Sequence, residues 1–336
     1  MNVSTDDPLI HFETRANKPR VFRITAALIS DAAARNGIRV ATTLGEDLKD
    51  LSWLPNAVGL VTSNDVLRDP LFPLQKLENV APKLRWIHVT GAGIEPLLPL
   101  QWLPRHVALT NNSGVHVEKI RESAAMMLLM LNARVPAIMT NQRQASWRQI
   151  FSPTIAGRVV LIVGVGDMGG AIAAVSRKLG LRVLGVRRSG EPHEAVDRMY
   201  LPDQLDSALP LADFLVLAAP LTTETTALID RRRLRMIRRG IGFINVGRAG
   251  LVDHAALIES LEDGTVSSAI IDVYDPEPLP SDSPLWHVPN LLLMPHVTSD
   301  DEDRYLPKTL DIVFENVRRL SAGEPLVNLV DPKREY

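Results

Sequence analysis

The chain has 336 residues, 46% hydrophobic and 23% charged, which excludes a disordered chain and, at roughly 100–200 residues per domain, predicts two domains. Thirty-seven basic and thirty-nine acidic residues leave a net charge of −2 with no basic stripe, so no nucleic-acid partner is expected. Cysteine is absent, which excludes disulfides, thiolate nucleophiles and Cys-based metal sites. The opening segment Met1–Pro8 lacks the basic and apolar regions of a secretory leader. The apolar runs Ala124–Leu131 and Phe214–Leu221 are well short of the ~20 residues of a membrane helix. A cytoplasmic protein without a membrane partner is expected.

Short apolar, β-branched runs alternate with helix-length segments, the pattern of an α/β protein with parallel sheets. Strands are predicted at Val21–Ile24, Ile38–Thr42, Ala57–Thr62, Leu84–Val89 and Val107–Thr110, with helices at Thr25–Asn36 and Ile94–Leu98. A long helix over Glu118–Ala133 is followed by Pro136 and by a polar arm, Thr140–Arg148, that carries Trp147. A second series has strands at Val159–Val163, Arg182–Val186, Phe214–Ala218, Ile241–Val246, Ser268–Val273 and Leu291–Met294. Its helices are expected at Gly169–Leu179, Leu205–Leu209, Asp230–Met236 and Asp253–Glu262, and a last helix at Leu310–Leu320.

The second series opens on Val159-Val-Leu-Ile-Val-Gly164-Val-Gly166-Asp-Met-Gly169, a Gly-x-Gly-x-x-Gly between strand and helix. The first glycine permits the tight turn, the second lets a pyrophosphate approach the backbone, and the third packs helix against strand. Phosphate oxygens then meet the free N–H groups and positive dipole end of the helix. A dinucleotide is the expected ligand. The next strand runs into Arg187-Arg188-Ser189, where an NAD-selective fold usually has an acid to accept from the ribose 2′-hydroxyl. A guanidinium fork instead suits a 2′-phosphate, so NADP(H) is expected in preference to NAD(H).

Three later segments each carry one chemically capable side chain just beyond a strand. They are Ile244-Asn-Val-Gly-Arg248, Ile270-Ile-Asp272-Val-Tyr-Asp-Pro-Glu277 and Leu293-Met-Pro-His296. Singly, each has a bland explanation: a solvated charge, a turn, an incidental histidine. In this order behind a dinucleotide loop they read as one site, because open α/β sheets bind ligands at the carboxyl ends of their strands.

With these segments, Trp86-Ile-His-Val-Thr-Gly91-Ala92-Gly93-Ile and Ala218-Ala-Pro220-Leu-Thr-Thr-Glu-Thr225, the chain resembles the D-isomer-specific 2-hydroxyacid dehydrogenase family. Within it the chain is most similar to the NADPH-dependent glyoxylate/hydroxypyruvate reductases. The resemblance implies an α/β enzyme whose Rossmann dinucleotide-binding domain, residues 113–302, is inserted into a flavodoxin-like substrate domain formed by 1–112 and 303–336. The helix over 118–133 would cross between the two domains, and the family is usually homodimeric through the arm at 118–150.

By the same resemblance, hydride passes from NADPH to C2 of a small 2-keto acid while His296 protonates the oxygen. Glu277 fixes the imidazole, and Arg248 clamps the substrate carboxylate opposite the backbone N–H groups of Ala92 and Gly93. The cofactor would be held by Gly164, Gly166, Asp167, Met168, Gly169, Arg187, Arg188, Ser189, Pro220, Thr225, Val246, Gly247, Arg248, Asp272 and His296. Trp147 matches a position that reaches a neighbouring subunit, either into its active site or as interface packing. Two departures stand out: Ala249 replaces the glycine that commonly follows the arginine, and an acidic stretch, Asp300–Asp303, follows the histidine. No metal-binding motif occurs, and no metal is expected. Two other readings remain open, an NAD-linked dehydrogenase for an acid such as 3-phosphoglycerate and a non-enzymatic dinucleotide sensor. An appended regulatory domain is not expected.

Overall fold

The computed structural model describes residues 8–332; the segment read above as lacking a leader lies, up to Asp7, outside the described residues. The chain divides into two compact units, Met1–Val115 with Asp301–Tyr336, and His116–Asp300. Each is an α/β unit with a parallel sheet. Among the described residues no single helix is long and apolar enough to cross a membrane.

The first unit has five parallel strands: β1 (Leu9–Thr14), β2 (Ala41–Glu46), β3 (Ala57–Thr62), β4 (Trp86–Val89) and β5 (Ala108–Thr110). Their order, β2-β1-β3-β4-β5, is that of a flavodoxin-like sheet. Alternate residues serve opposite faces, as the pleat requires. Ile10, Phe12, Val61 and Trp86 pack with Leu310, Val313 and Phe314, while Leu60, Ile87, Val89 and Leu109 pack on the other face with Leu67 and Leu77.

β1 was not anticipated, because His11, Glu13 and Thr14 interrupt its apolar pattern. All three are buried, and the first two satisfy each other and their neighbours. His11 bonds Thr43 at 2.8 Å and Glu13 at 3.0 Å, and Glu13 accepts from the Leu48 amide at 2.8 Å. The expected strand at Val21–Ile24 is instead a single 3-10 turn, Arg20–Phe22, entered from Pro19. The element expected at Ile94–Leu98 is likewise one 3-10 turn, Glu95–Leu97.

The second unit has seven parallel strands: β6 (Val159–Val163), β7 (Arg182–Val186), β8 (Arg198–Tyr200), β9 (Phe214–Leu217), β10 (Ile241–Asn245), β11 (Val266–Ile271) and β12 (Leu291–Leu293). Their order is β12-β11-β10-β9-β6-β7-β8, the Rossmann arrangement with its switch point between β6 and β9. Helices Val117–Asn132 and Asp167–Lys178 cover one face through Met127, Leu131, Ile172 and Val175. His254–Glu262 contributes Leu257 and Leu261 to the other face. The arm expected at Thr140–Arg148 is partly helical, over Val135–Arg143, with Pro136 in the first turn, where its missing N–H costs nothing. The last helix is likewise longer than expected, Tyr305–Ala322.

Gly169 packs the helix Asp167–Lys178 onto β6: a Cβ there would lie 1.9 Å from the Gly164 carbonyl oxygen. Backbone cannot yield as a flexible side chain does. Gly169→Ala is therefore expected to destabilise the second unit by about 1–3 kcal/mol or more, read as a lowered thermal midpoint in calorimetry. A parent-like midpoint would mean that the turn relaxes freely.

Candidate active site

Because β6 to β12 run in one direction, their carboxyl ends share one edge of the sheet. Gly164, Arg187, Ala218, Val246, Asp272 and Met294 each immediately follow a strand on that edge. Gly164 adopts φ +96°, and a Cβ on it would sit 2.4 Å from the Ala219 amide nitrogen. Gly166, which precedes the helix Asp167–Lys178, faces open space, and no side chain caps that helix. Asp167 is exposed and Met168 half-buried beside it. Free N–H groups, a positive dipole end and room for close approach fit a pyrophosphate.

Beyond β7, Arg187 lies 3.9 Å from Glu191 and Arg188 3.4 Å from Glu224, in exposed pairs. The Ser189 hydroxyl is 3.3 Å from Glu191. Exposed pairs of this kind contribute at most about 1 kcal/mol, so both guanidinium groups can turn to a bound phosphate at little cost. After β9, the Thr225 hydroxyl donates to the Pro220 carbonyl at 2.8 Å and accepts from the Thr222 amide at 2.8 Å, which shapes the 220–225 loop.

The loop after β10 is held by Asn245, a residue not singled out from the sequence. Its buried side chain donates to the Arg248 carbonyl (2.9 Å) and accepts from the Gly247 amide (3.1 Å). The Val246 amide is taken by the Leu217 carbonyl. The Arg248 guanidinium contacts the Gly247 carbonyl at 2.7 Å and lies near enough to His296 and Glu277 to act on their titration. Ala249 is buried in the turn that follows, and its methyl group is accommodated there.

His296 Nδ1 is 2.7 Å from Glu277 Oε2. That pairing leaves Nε2 as the outward nitrogen. The hydrogen bond to Glu277 raises the His296 pKa above its ordinary 6.5, against an opposing effect of burial. Burial pushes the Glu277 carboxyl up, but hydrogen bonds from His296 and from the Tyr274 amide outweigh it and hold it below its ordinary value.

His296 itself has φ +55°, a left-handed conformation costing about 1–3 kcal/mol for a residue with a Cβ. The segments on either side hold it there. Buried Asp272 accepts from the amides of Val297 (3.0 Å) and Thr298 (3.1 Å) and from the Thr298 hydroxyl. The Tyr274 hydroxyl sits 2.8 Å from the carbonyls of Ile271 and Met294. Burial raises the Asp272 pKa, and its hydrogen bonds only partly offset that. The carboxylate is occupied by the loop it pins.

In the first unit the loop 90–93 has every carbonyl engaged. Thr90 accepts from the Tyr305 hydroxyl, Gly91 from the Asn112 amide (3.0 Å), Ala92 from Asn111 Nδ2 (2.8 Å) and Gly93 from Asn64 Nδ2 (2.9 Å). The amides of Gly91, Ala92 and Gly93 have no acceptor among the described residues. A loop with its carbonyls tied back and its amides free suits an oxyanion. Asn64, Asn111 and Tyr305 therefore position this loop, and sequence reasoning did not single out Asn111 or Tyr305. Trp147, at 94% exposure, touches little in the chain.

The sequence pattern described as "D-isomer specific 2-hydroxyacid dehydrogenase, NAD binding domain" matches residues 125–298. A glyoxylate reductase of Korarchaeum cryptofilum is 30% identical over 275 residues, 79% of this chain and 81% of its own length. A crystal structure of a D-isomer specific 2-hydroxyacid dehydrogenase from Xanthobacter autotrophicus Py2, in complex with NADPH and MES, superposes with a TM-score of 0.82 at 28% identity, covering 98% of this chain and 99% of that one. The NADPH-dependent glyoxylate/hydroxypyruvate reductase of Sinorhizobium meliloti, in complex with NADP and sulfate, gives 0.79 at 25% identity, covering 98% of this chain and 100% of that one.

The directions of the two pKa shifts set a window. Stability from the raised His296 pKa is fully present below the ordinary histidine value and is lost as pH rises through the raised one. Stability from the lowered Glu277 pKa is present above the ordinary carboxylate value and is lost as pH falls through the lowered one. In an NMR titration the His296 imidazole is expected to titrate above 6.5, and Glu277→Gln is expected to move it down. An unmoved midpoint in the variant would show that Glu277 does not control the ring.

Proposed function

This chain belongs to the D-isomer specific 2-hydroxyacid dehydrogenases, NAD(P)-dependent oxidoreductases, and on that premise we propose that it reduces a small 2-keto acid of the glyoxylate or hydroxypyruvate type to the D-2-hydroxy acid, with NADPH preferred to NADH. The observation that carries this reading is the Glu277–His296 hydrogen bond, which leaves Nε2 as the outward nitrogen of a ring biased toward the imidazolium, with Arg248 beside the pair. When bound, the dinucleotide supplies the hydride.

The chain's own residues supply a proton and fix charge. His296 donates from Nε2 to the carbonyl oxygen as it becomes an alkoxide, and Glu277 stabilises the positive ring until that transfer. Arg248 grips the substrate carboxylate with its planar fork and polarises the carbonyl, which an ammonium would do less well. The free amides of Ala92 and Gly93 suit a carboxylate group of the acid. Gly164, Gly166, Asp167, Met168 and Gly169 hold the pyrophosphate, and Arg187, Arg188 and Ser189 hold the 2′-phosphate. Pro220, Thr225, Val246, Gly247 and Asp272 act through the loops they shape along the cofactor edge. On this reading the 113–302 span binds the dinucleotide and the remaining domain selects the acid. We place the enzyme in the cytoplasm as a homodimer, joined through the arm that exposes Trp147 and Phe151.

His296→Ala is expected to lower turnover by a factor on the order of 10²–10⁴ while the NADPH dissociation constant stays as in the parent. A loss below tenfold would remove the proton-donor role. Initial rates with NADPH and NADH side by side, using glyoxylate, hydroxypyruvate, pyruvate and phenylpyruvate, test the rest. NADPH is expected to win in the parent. Each of Arg187→Ala and Arg188→Ala is expected to cost NADPH about tenfold or more, since a charge-assisted hydrogen bond contributes about 1.5–3 kcal/mol, and to leave NADH nearly unchanged. Turnover with NADH alone would overturn the cofactor assignment.

A further inference from the structure

The edge of the seven-stranded sheet opposite the dinucleotide loop carries a cavity of about 200 Å³ lined by four arginines, Arg134, Arg158, Arg238 and Arg239, and one carboxylate, Asp213. Arg158, Asp213 and Gly240 immediately precede β6, β9 and β10, so this is the amino-terminal edge. A five-residue strand separates it from the glycine loop by about 16 Å.

The one carboxylate is already committed. Asp213 Oδ2 accepts from the Val159 amide at 2.9 Å, and Oδ1 takes Arg238 at 2.9 Å with Arg158 at 3.5 Å. Arg158 is also anchored to Asn132 (2.8 Å) and lies over the Phe214 ring, 4.6 Å from its centroid. Arg239 reaches the Asp263 carbonyl but no carboxylate. The Arg134 side chain has no hydrogen bond or ion pair among the described residues, although the residue is half-buried.

Its backbone is held at φ +61° between the helices Val117–Asn132 and Val135–Arg143, so the local structure fixes where its side chain starts. Burial and the neighbouring Arg158 both disfavour its charge. A guanidinium does not shed its proton, so that cost stays until an anion offsets it. Gly240 also lines the cavity, and a Cβ there would meet nothing within 4 Å, so the space beside it is open.

We infer that this cavity is a second anion site, which takes a compact phosphate-type oxyanion through Arg134 and Arg239, with Arg158 and Arg238 held beside it by Asp213. Four guanidinium groups against one saturated carboxylate are a charge arrangement that a doubly charged oxyanion completes and water does not. The site is independent of the reductase chemistry, since it uses none of its residues and lies on the far edge of the sheet.

The test titrates inorganic phosphate into the full chain saturated with NADPH and reads the thermal midpoint and the heat of binding, with sodium chloride at equal ionic strength as reference. In the parent the midpoint is expected to rise saturably with phosphate, as ligand linkage requires. Arg134→Gln and Arg239→Gln are each expected to weaken phosphate binding tenfold or more, with turnover in phosphate-free buffer unchanged; the second variant carries the test if the first does not fold. The double variant R187Q/R188Q is expected to keep the response, which separates this site from the 2′-phosphate site. A parent that responds to phosphate no more than to chloride overturns the proposal. So does a response that survives both Arg134→Gln and Arg239→Gln, or one that disappears in the double variant.

Discussion

Seven strands hydrogen-bonded in parallel cannot distribute their ends at random. Every carboxyl end falls on one edge and every amino end on the other, and the rest of the second unit follows from that constraint. The loops after β6, β7, β9, β10, β11 and β12 are far apart in sequence but share an edge, and they carry all the residues assigned to the dinucleotide and to the acid–base chemistry. The segments before β6, β9 and β10 are gathered on the opposite edge in the same way, and there their three arginines, Arg158, Arg238 and Arg239, meet Arg134 from the junction of two helices. A net charge of −2 for the whole chain conceals both concentrations.

Geometry along the functional edge depends on side chains that bond backbone rather than ligand. Asp272 pins the amides after His296, Tyr274 meets the carbonyl two residues before it, and Glu277 orients its ring. Together they hold a β-substituted residue in the left-handed region, which an unsupported loop would leave. Asn245 likewise ties back the backbone around Arg248, and Asn64, Asn111 and Tyr305 that of the 90–93 loop. In the first unit this tying back of carbonyls leaves the amides of Gly91, Ala92 and Gly93 free. These positions explain how residues on loops can work with the precision that chemistry demands.

Much of this was legible in the residues. The glycine loop, the arginine pair after β7 and the Arg248, Glu277 and His296 segments are local patterns, because tight turns, phosphate approach and strand-end chemistry each require particular residue types at short spacing. Strands β6 and β7 lie where their apolar runs put them, since a strand buried on both faces writes a continuous hydrophobic run. β1 was hidden because His11 and Glu13 find their other partners, Thr43 and the Leu48 amide, only once β2 pairs alongside, and the helix at Val135–Arg143 was hidden because a proline reads as a break until its place in the first turn is known.

By itself, then, the sequence determined the class of the fold and the glycine turn between β6 and its helix, because each rests on contacts made within a few residues, and it marked Arg248, Glu277 and His296 as the residues to look for at the strand ends. Tertiary structure alone decided that His296 meets Glu277 through Nδ1, that Asp272 pins the Val297–Thr298 loop, and that Arg134, Arg158, Arg238 and Arg239 gather around one carboxylate. Those facts join residues up to a hundred or so positions apart. Only the parallel pairing of the strands gathers such residues on one edge of the sheet.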